Sequence, residues 1–367
     1  MKTNTSTLLL ASIALATSAS CGSCSPVDHR VDYPTLESIG DADPLGLVWE
    51  EVEGNPLIPL PDCPTWHCLG QTDPWVIQGP RHWNIFFSAG GDRNGPVIGR
   101  GDLFADFSLF LNPSDGPILS SDDQPADAWD QYRETVSILW DQDRDRWLMW
   151  YLGYSISFFD DPGFGQIISD DEGQTRAPSP EPIYRPDPDG WDFAFITGPT
   201  IMVTSEGQWR LYYSGAGTTI GIGVLLSDDQ GQTWTPYEGN PVFERDLQSW
   251  DEGVLEVSVL EHQGQFYMWY TGYLEPLDLE TTPMYIGMAT SPDGFEWERS
   301  PHNPVLGPNA PGTWNDLRIV SPQVILDDDG DFLLFAHGQS QAIIGRAMGQ
   351  LGVWRSRPRV SSALATP

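Results

Sequence analysis

The chain has 367 residues, of which 40% are hydrophobic and 16 are Trp, so it can bury a large aromatic core. Its formal net charge of −34 at pH 7 repels phosphate backbones and anionic headgroups, which excludes nucleic acid as an expected partner. A chain of this length can still form one all-β domain, which we expect to be a monomer.

Residues 1–20 have the features of an export signal. Lys2 precedes an apolar run over residues 8–16, which is too short to span a membrane, and small residues lead up to Cys21. The segment resembles a bacterial lipoprotein signal with Cys21 as the lipidated residue; ordinary secretion with cleavage nearby is the alternative. Residues 21–45 then form a tether. We expect an exported protein, either anchored in the outer membrane or free in the periplasm or outside the cell, with membrane contact only through the lipid.

Two further cysteines, Cys63 and Cys68, are close together in the sequence. Outside the cytosol, an oxidised pair is the natural interpretation, so we predict a disulfide between them. A metal site that also uses His67 is the alternative, but it lacks a fourth ligand.

A short turn signature, a Pro followed by two apolar residues, recurs at offsets of 61, 65, 59 and 63 residues. A regular period of this size indicates one supersecondary unit repeated along the chain. Aromatic and β-branched runs between Gly, Asp and Pro turns indicate strands. We therefore predict an all-β fold, a single five-bladed β-propeller of four-stranded antiparallel blades over residues 46–355, with a tail at 356–367. A solenoid is the alternative, but a closed ring removes exposed edges. The signature prolines are Pro56, Pro117, Pro182, Pro241 and Pro304.

Several carboxylates fall where the first strand of a blade would open onto the central channel. Alignment of the apolar runs places Asp73 in register with Glu256, while Glu134 precedes the second run and Glu252 the fourth. Glycoside cleavage needs one carboxyl group as an acid and another as a base or nucleophile. Each residue also has a structural alternative: a turn cap, an ion pair with a neighbouring arginine, or a backbone contact.

Four further residues fall near the same channel mouth and are candidates for binding a substrate. Trp75 follows the first carboxylate and offers an apolar face to a sugar ring. Arg133, Asp316 and Arg318 are polar residues ahead of the second and fifth runs.

The repeats Met268–Gly272, Ile286–Gly294 and Asn303–Leu306 resemble the five-bladed propellers of glycoside hydrolase families 43, 32, 62, 68 and 130. The similarity covers nearly all of the chain after the signal. It implies a secreted or surface-anchored enzyme that hydrolyses poly- or oligosaccharides and requires no cofactor.

In family 43 a first-blade Asp, often before Pro, is the general base, a second-blade Asp tunes the site, and a third-blade Glu is the acid. The resemblance assigns the base to Asp73, which precedes a proline, and the tuning role to Glu134 by position. The third-blade segment, residues 195–199, is uncharged. Glu256, with Glu252 as second choice, would then supply the acid.

His337 lies in the second strand of the fifth repeat. Some family 43 members place a His nearby, close to a calcium ion or water on the axis, so the resemblance raises an axial calcium near His337. A core His bonded to backbone is the alternative.

Two other functions remain open. A non-catalytic propeller lipoprotein that binds glycan or protein would explain the uncharged third segment. A sialidase would need three clustered arginines, and only Arg133 and Arg318 are well placed.

Lipidation of Cys21 can be tested directly. We expect a fatty-acid analogue to label the wild-type protein in a Gram-negative host and to leave Cys21→Ala unlabelled, because the thiol at this position is the acceptor. Gel fluorescence of the purified proteins measures the label. Equal labelling of both proteins, or of neither, contradicts the assignment.

Overall fold

The structure is a computed structural model that describes residues 45–358, with gaps at 80–81, 91–94, 105–106, 108–109, 114–115, 126, 156–160, 171–176, 279, 328–329 and 344–347. The predicted signal, Cys21 and most of the tether lie outside the described residues. Within these ranges, no helix is long and apolar enough to cross a membrane.

The described residues form strands and two short 3₁₀ helices, so the predicted all-β fold is confirmed. The 3₁₀ helices are Ser121–Asp123 and Gln341–Ile343. The strands are β1 (Leu47–Glu51), β2 (Gln71–Gln78), β3 (Trp83–Ala89), β4 (Val97–Leu103), β5 (Phe110–Pro113), β6 (Tyr132–Asp141), β7 (Arg146–Tyr154), β8 (Gly163–Ser169), β9 (Ala177–Pro178), β10 (Phe195–Val203), β11 (Trp209–Ala216), β12 (Ile220–Ser227), β13 (Thr235–Pro236), β14 (Phe243–Glu244), β15 (Gly253–His262), β16 (Gln265–Tyr273), β17 (Met284–Ser291), β18 (Glu298–Arg299), β19 (Arg318–Leu326), β20 (Phe332–Gln339) and β21 (Gln350–Pro358).

The strands pair in sequential antiparallel groups. The first group is β2-β3-β4-β5, the second β6-β7-β8-β9, and the third β10-β11-β12-β13 with β14 also on β12. The fourth (β15-β16-β17-β18) and the fifth (β19-β20-β21-β1) share one sheet, joined by a single parallel pairing of Met284 with Arg318. In the fifth group, β1 from the start of the described chain pairs with β21 from its end.

The first strands of the groups contact one another in a closed cycle, β2 with β6, β6 with β10, β10 with β15, β15 with β19, and β19 with β2. We call these five the inner strands. The second strand of each group is almost entirely buried. The hydrophobic clusters combine residues of neighbouring groups, so the core lies between the sheets.

A buried aspartate that follows a Trp fastens the entry loop to the second strand in three groups. Each carboxylate accepts a hydrogen bond from a tyrosine hydroxyl, and Asp251 also pairs with the Arg299 guanidinium at 2.7 Å. Removal of water strengthens such bonds and makes their loss expensive. The pairs are Asp130 with Tyr151 at 2.7 Å, Asp192 with Tyr213 at 3.0 Å and Asp251 with Tyr270 at 3.0 Å.

The predicted disulfide between Cys63 and Cys68 is confirmed. It closes a short loop immediately before β2. Trp66 inside this loop stacks on the ring of Phe87 in β3. The loop is therefore fixed against the first group at the strand that carries Asp73.

Asp251→Ala should lower the free energy of unfolding by about 3 kcal/mol, because the buried Tyr270 hydroxyl and the Arg299 guanidinium lose their acceptor. The measurement is denaturant unfolding followed by Trp fluorescence. Asp228→Ala, at an exposed turn position, is the control and should change stability by less than about 0.5 kcal/mol. Similar losses in both variants would contradict a structural role for Asp251.

Candidate active site

Each inner strand contains one residue with left-handed backbone, at the point where its pairing with the second strand shifts register. We call these the bulge residues. Non-glycine residues adopt this conformation rarely, and it is held in place only when the surrounding structure demands it. A bulge also re-aims its side chain away from the ladder. The bulge residues are Asp73 (φ 52°), Thr135 (φ 48°), Gly198 (φ 60°), Glu256 (φ 38°) and Ser321 (φ 57°).

Four of the bulge residues donate their backbone N–H to a side chain in a neighbouring group. The acceptor lies on the second strand of the group before it in the cycle, and for the first group this is the fifth group. These bonds tie each inner strand to its neighbour at the height of the bulge. The acceptor side chains occupy equivalent register positions. The bonds run from Thr135 to Ser88 Oγ (2.9 Å), from Glu256 to Ser214 Oγ (2.6 Å), from Ser321 to Thr271 Oγ1 (3.0 Å) and from Asp73 to His337 Nδ1 (3.4 Å).

His337 therefore stands where other groups have a hydroxyl. Its Nδ1 accepts the Asp73 N–H, so that nitrogen carries no proton. Burial lowers the pKa of His337 to about 4, with Asp73 opposing the shift and Arg318 adding to it. The described residues contain no group of three His, Cys, Asp or Glu side chains arranged to hold a metal ion. His337 accepts a backbone N–H, as the core alternative expects, and the axial calcium stays a prediction.

The bulge residues converge on a cavity at one end of the inner strands. All five line it, together with Trp75 and the residues that follow each bulge. Its volume of 40 Å³ is enough to hold a water molecule. The site therefore has room for a water molecule beside the carboxyl groups.

Asp73 accepts hydrogen bonds on both carboxylate oxygens. The Thr72 hydroxyl donates to Oδ2 at 2.8 Å, and Ser321 Oγ lies 2.8 Å from Oδ1. Nδ1 of His337 is 3.8 Å from the same Oδ1. Two hydroxyl groups therefore hold the Asp73 carboxyl group in place beside the cavity.

Glu256 contacts the same hydroxyl, with its Oε2 against Ser321 Oγ. Burial raises the pKa of Glu256 to about 8, the charge of Asp73 raises it further with a smaller effect from Glu134, and a hydrogen bond donated by Ser321 would lower it. The side chain extends over the third inner strand, because a Cβ on Gly198 would be only 3.3 Å from Glu256 Cγ. The fourth inner strand thus places a carboxyl group beside the third inner strand, whose own bulge residue is glycine.

Glu134 directly precedes the bulge of the second inner strand and is buried. It accepts a hydrogen bond from the Tyr154 hydroxyl at 2.7 Å. Burial raises its pKa to about 8; the Tyr154 hydrogen bond opposes this shift and the charge of Asp73 adds to it. The structure therefore brings Asp73, Glu134 and Glu256 into mutual electrostatic contact.

Of the predicted binding residues, only Trp75 lines the cavity. Its indole N–H donates to the Ile138 carbonyl at 2.9 Å, which fixes the ring across the first and second inner strands. Arg133 is buried in an ion pair with Asp130 at 2.9 Å and lies over the Tyr151 ring. The guanidinium of Arg133 is therefore engaged with protein groups.

Asp316, Glu252 and Arg318 are not among the residues that line the cavity. Asp316 accepts the backbone N–H groups of Gly312 (2.6 Å) and Gln341 (2.8 Å). Glu252 accepts the Glu275 N–H at 2.9 Å. Arg318 is buried at the start of β19, and burial lowers its pKa to about 10.

Ser321 was not among the predicted site residues, yet it links the two carboxyl groups. A signal for it exists in the sequence. The bulge residue is followed by proline in three inner strands, at Asp73-Pro74, Gly198-Pro199 and Ser321-Pro322. The shared X-Pro pattern would have placed Ser321 in register with Asp73.

No protein-family model matches this chain, and no curated protein matches it significantly in sequence. Solved structures do match it. One described as a glycoside hydrolase is 18% identical with a TM-score of 0.65, over 85% of this chain and 93% of that one. This chain has the fold of a glycoside hydrolase. The predicted resemblance to the propeller glycoside hydrolases is thus confirmed at the level of fold.

Two further structures support the same fold. A thermostable family-43 glycoside hydrolase is 16% identical with a TM-score of 0.57, over 77% of this chain and 88% of that one. An α-L-arabinofuranosidase from Podospora anserina, solved with cellotriose, is 13% identical with a TM-score of 0.59, over 84% of this chain and 96% of that one. Such identities establish shared architecture, and activity has to be argued from the site.

The raised pKa of Glu256 has a consequence for stability. A carboxyl group that holds its proton more tightly when folded contributes fully below its ordinary pKa of 4.5, and this contribution is lost as the pH rises through about 8. We expect Glu256→Gln to weaken the decline of unfolding free energy between these pH values. Denaturant unfolding at a series of pH values measures it.

Glu238→Gln is the control for this measurement, because Glu238 is exposed on a turn. It should keep the wild-type pH dependence. If Glu256→Gln and the wild type decline in parallel, Glu256 does not hold its proton in the folded protein.

Proposed function

We propose that this chain is a glycoside hydrolase built on a five-bladed β-propeller. The closed cycle of inner strands, the four-stranded groups attached to them and the fold shared with glycoside hydrolases support this architecture. The five bulge residues then surround the axis at one end. A funnel at this end would admit the substrate.

The observation that carries the proposal is the pair of carboxyl groups on one hydroxyl. Asp73 and Glu256 both contact Ser321 Oγ inside a cavity that the inner strands share. A glycosidase needs two carboxyl groups in different protonation states around one bond. Their different surroundings provide that difference.

The roles follow from those surroundings. Glu256, whose pKa is raised to about 8, holds a proton at neutral pH and donates it to the leaving oxygen as general acid. Asp73 accepts hydroxyl hydrogen bonds on both oxygens and serves as general base for a water molecule. Glu134 is the buried third carboxyl group that tunes the pair.

The substrate is a poly- or oligosaccharide, with Trp75 as the apolar surface at the cavity wall. The disulfide supports action outside the cytosol, where such bonds persist. Together with the signal features at residues 1–20, it makes an exported, lipid-anchored or secreted monomeric enzyme our proposal for this chain.

Asp73→Asn should lower turnover by at least about a hundredfold while the protein stays folded, because the amide cannot accept the proton of the attacking water. Oligosaccharides of arabinan, xylan, fructan and mannan are screened first, with product release measured by chromatography. Asp228→Asn, at an exposed turn, is the matched control and should retain activity.

The same screen can contradict the proposal. Absence of hydrolysis with every glycan, together with glycan binding that survives Asp73→Asn, would identify a binding module. Hydrolysis that is unchanged in Asp73→Asn would remove this residue from the catalytic pair.

A further inference from the structure

A single hydroxyl group bridges the two carboxyl groups of the site. Ser321 Oγ lies 2.8 Å from Asp73 Oδ1 and also contacts Glu256 Oε2. A serine hydroxyl has one proton to donate. With both carboxyl groups ionised, one of these contacts would join two acceptors, so one carboxyl group must itself carry a proton and donate it to Ser321.

The contacts identify that carboxyl group. Asp73 already accepts the Thr72 hydroxyl on its other oxygen, which favours the ionised form. Glu256 shares the Ser321 hydroxyl with the carboxylate of Asp73, whose charge favours the protonated form of Glu256. His337 stands on the Asp73 side of the cluster, with its Nδ1 3.8 Å from Asp73 Oδ1, and Arg318 interacts electrostatically with His337.

We propose that Ser321 is a proton bridge, which accepts a hydrogen bond from protonated Glu256, donates one to ionised Asp73, and so assigns the acid and the base before substrate arrives. The effect of the bridge on catalysis rests on the proposed glycosidase function. The protonation of the three groups is a property of the protein without substrate.

The bridge also resets the site after each turnover. During hydrolysis the water oxygen bonds to the anomeric carbon and the bond from that carbon to the glycosidic oxygen breaks. The Glu256 proton passes to the leaving oxygen, and a water proton passes to Asp73. The acid is then ionised and the base protonated. Transfer of the Asp73 proton to Ser321 Oγ, with the Ser321 proton passing to Glu256, restores the starting state with no net change at the serine.

The backbone holds Ser321 in position for this role. Its left-handed conformation (φ 57°) and its N–H bond to Thr271 Oγ1 at 3.0 Å fix the direction of the side chain. Thr135 adopts φ 48° at the equivalent place in the second inner strand, which shows that the bulge accepts a threonine. Ser321→Thr is therefore a variant that keeps the hydroxyl group.

The first test needs no substrate. Infrared titration detects the carbonyl stretch of a protonated carboxyl group, and the band lost in Glu256→Gln identifies Glu256. We expect this band at neutral pH in the wild type and in Ser321→Thr. In Ser321→Ala its midpoint should fall by about one pH unit, because protonated Glu256 loses its acceptor. An unchanged midpoint in Ser321→Ala, or the higher midpoint expected if Ser321 donated to Glu256, overturns the bridge.

The second test uses the pH–rate profile on a substrate found in the glycan screen. Removal of the hydroxyl destabilises ionised Asp73, so the acidic limb moves to higher pH. It also destabilises protonated Glu256, so the basic limb moves to lower pH. Ser321→Ala should therefore narrow the bell by about one pH unit from each side and reduce the maximum rate about tenfold, and Ser321→Thr should restore the width.

Ser258→Ala is the matched control, since the Ser258 hydroxyl also bridges two inner strands, by accepting the Val324 N–H at 2.8 Å. It should leave both limbs in place. A reduced rate with unmoved limbs in Ser321→Ala would show a merely structural serine and refute the proposal. If no glycan is hydrolysed, the infrared result still supports or refutes the bridge, and only the proposed function fails.

Discussion

The geometry of the site depends on one backbone constraint, the left-handed residue in each inner strand. Its N–H leaves the local ladder and, in four strands, bonds to a side chain of the neighbouring sheet. The same contact therefore joins adjacent sheets at the residue that lines the cavity. In the second group the equivalent acceptor position is Leu152, which has no hydrogen-bonding side chain, and the bulge residue that follows is glycine. Gly198 therefore occurs where the N–H has no side-chain acceptor, and glycine adopts the left-handed conformation without that bond.

Burial lets a strongly acidic protein keep its central carboxyl groups neutral. The chain has a formal net charge of −34, yet Glu134 and Glu256 both have pKa values raised to about 8. Removal of water disfavours the charged form, and neighbouring carboxylates add to the effect. The partly exposed Asp229 has the opposite shift, a pKa lowered to about 2 by hydrogen bonds from Thr233. Residues of one chemical type thus divide into solvated anions and buried acids according to their surroundings.

The sequence was sufficient for those features that depend on periodicity. Turn spacing and strand patterns predicted an all-β fold, and the register of Asp73 with Glu256 emerged from aligned apolar runs. Contacts between distant segments were out of reach. Arg133 has the type and position of a binding residue, and only its buried pairing with Asp130 shows that it is engaged. Ser321 carries no charge that would mark it as a site residue in the sequence. Its role depends on the left-handed backbone that brings its Oγ within 2.8 Å of Asp73 Oδ1, 248 positions away.

The pairing of β1 with β21 makes the order of synthesis matter. A chain emerges from the ribosome N-terminus first, so β1 exists long before its partner strand. Its residues lie opposite Trp354–Pro358, near the end of the described chain. The fifth sheet can therefore be completed only after the chain has left the ribosome as far as β21. Until then β20 and β21 are unavailable to cover the first sheet, and the nascent chain must keep an aromatic core partly open during its synthesis.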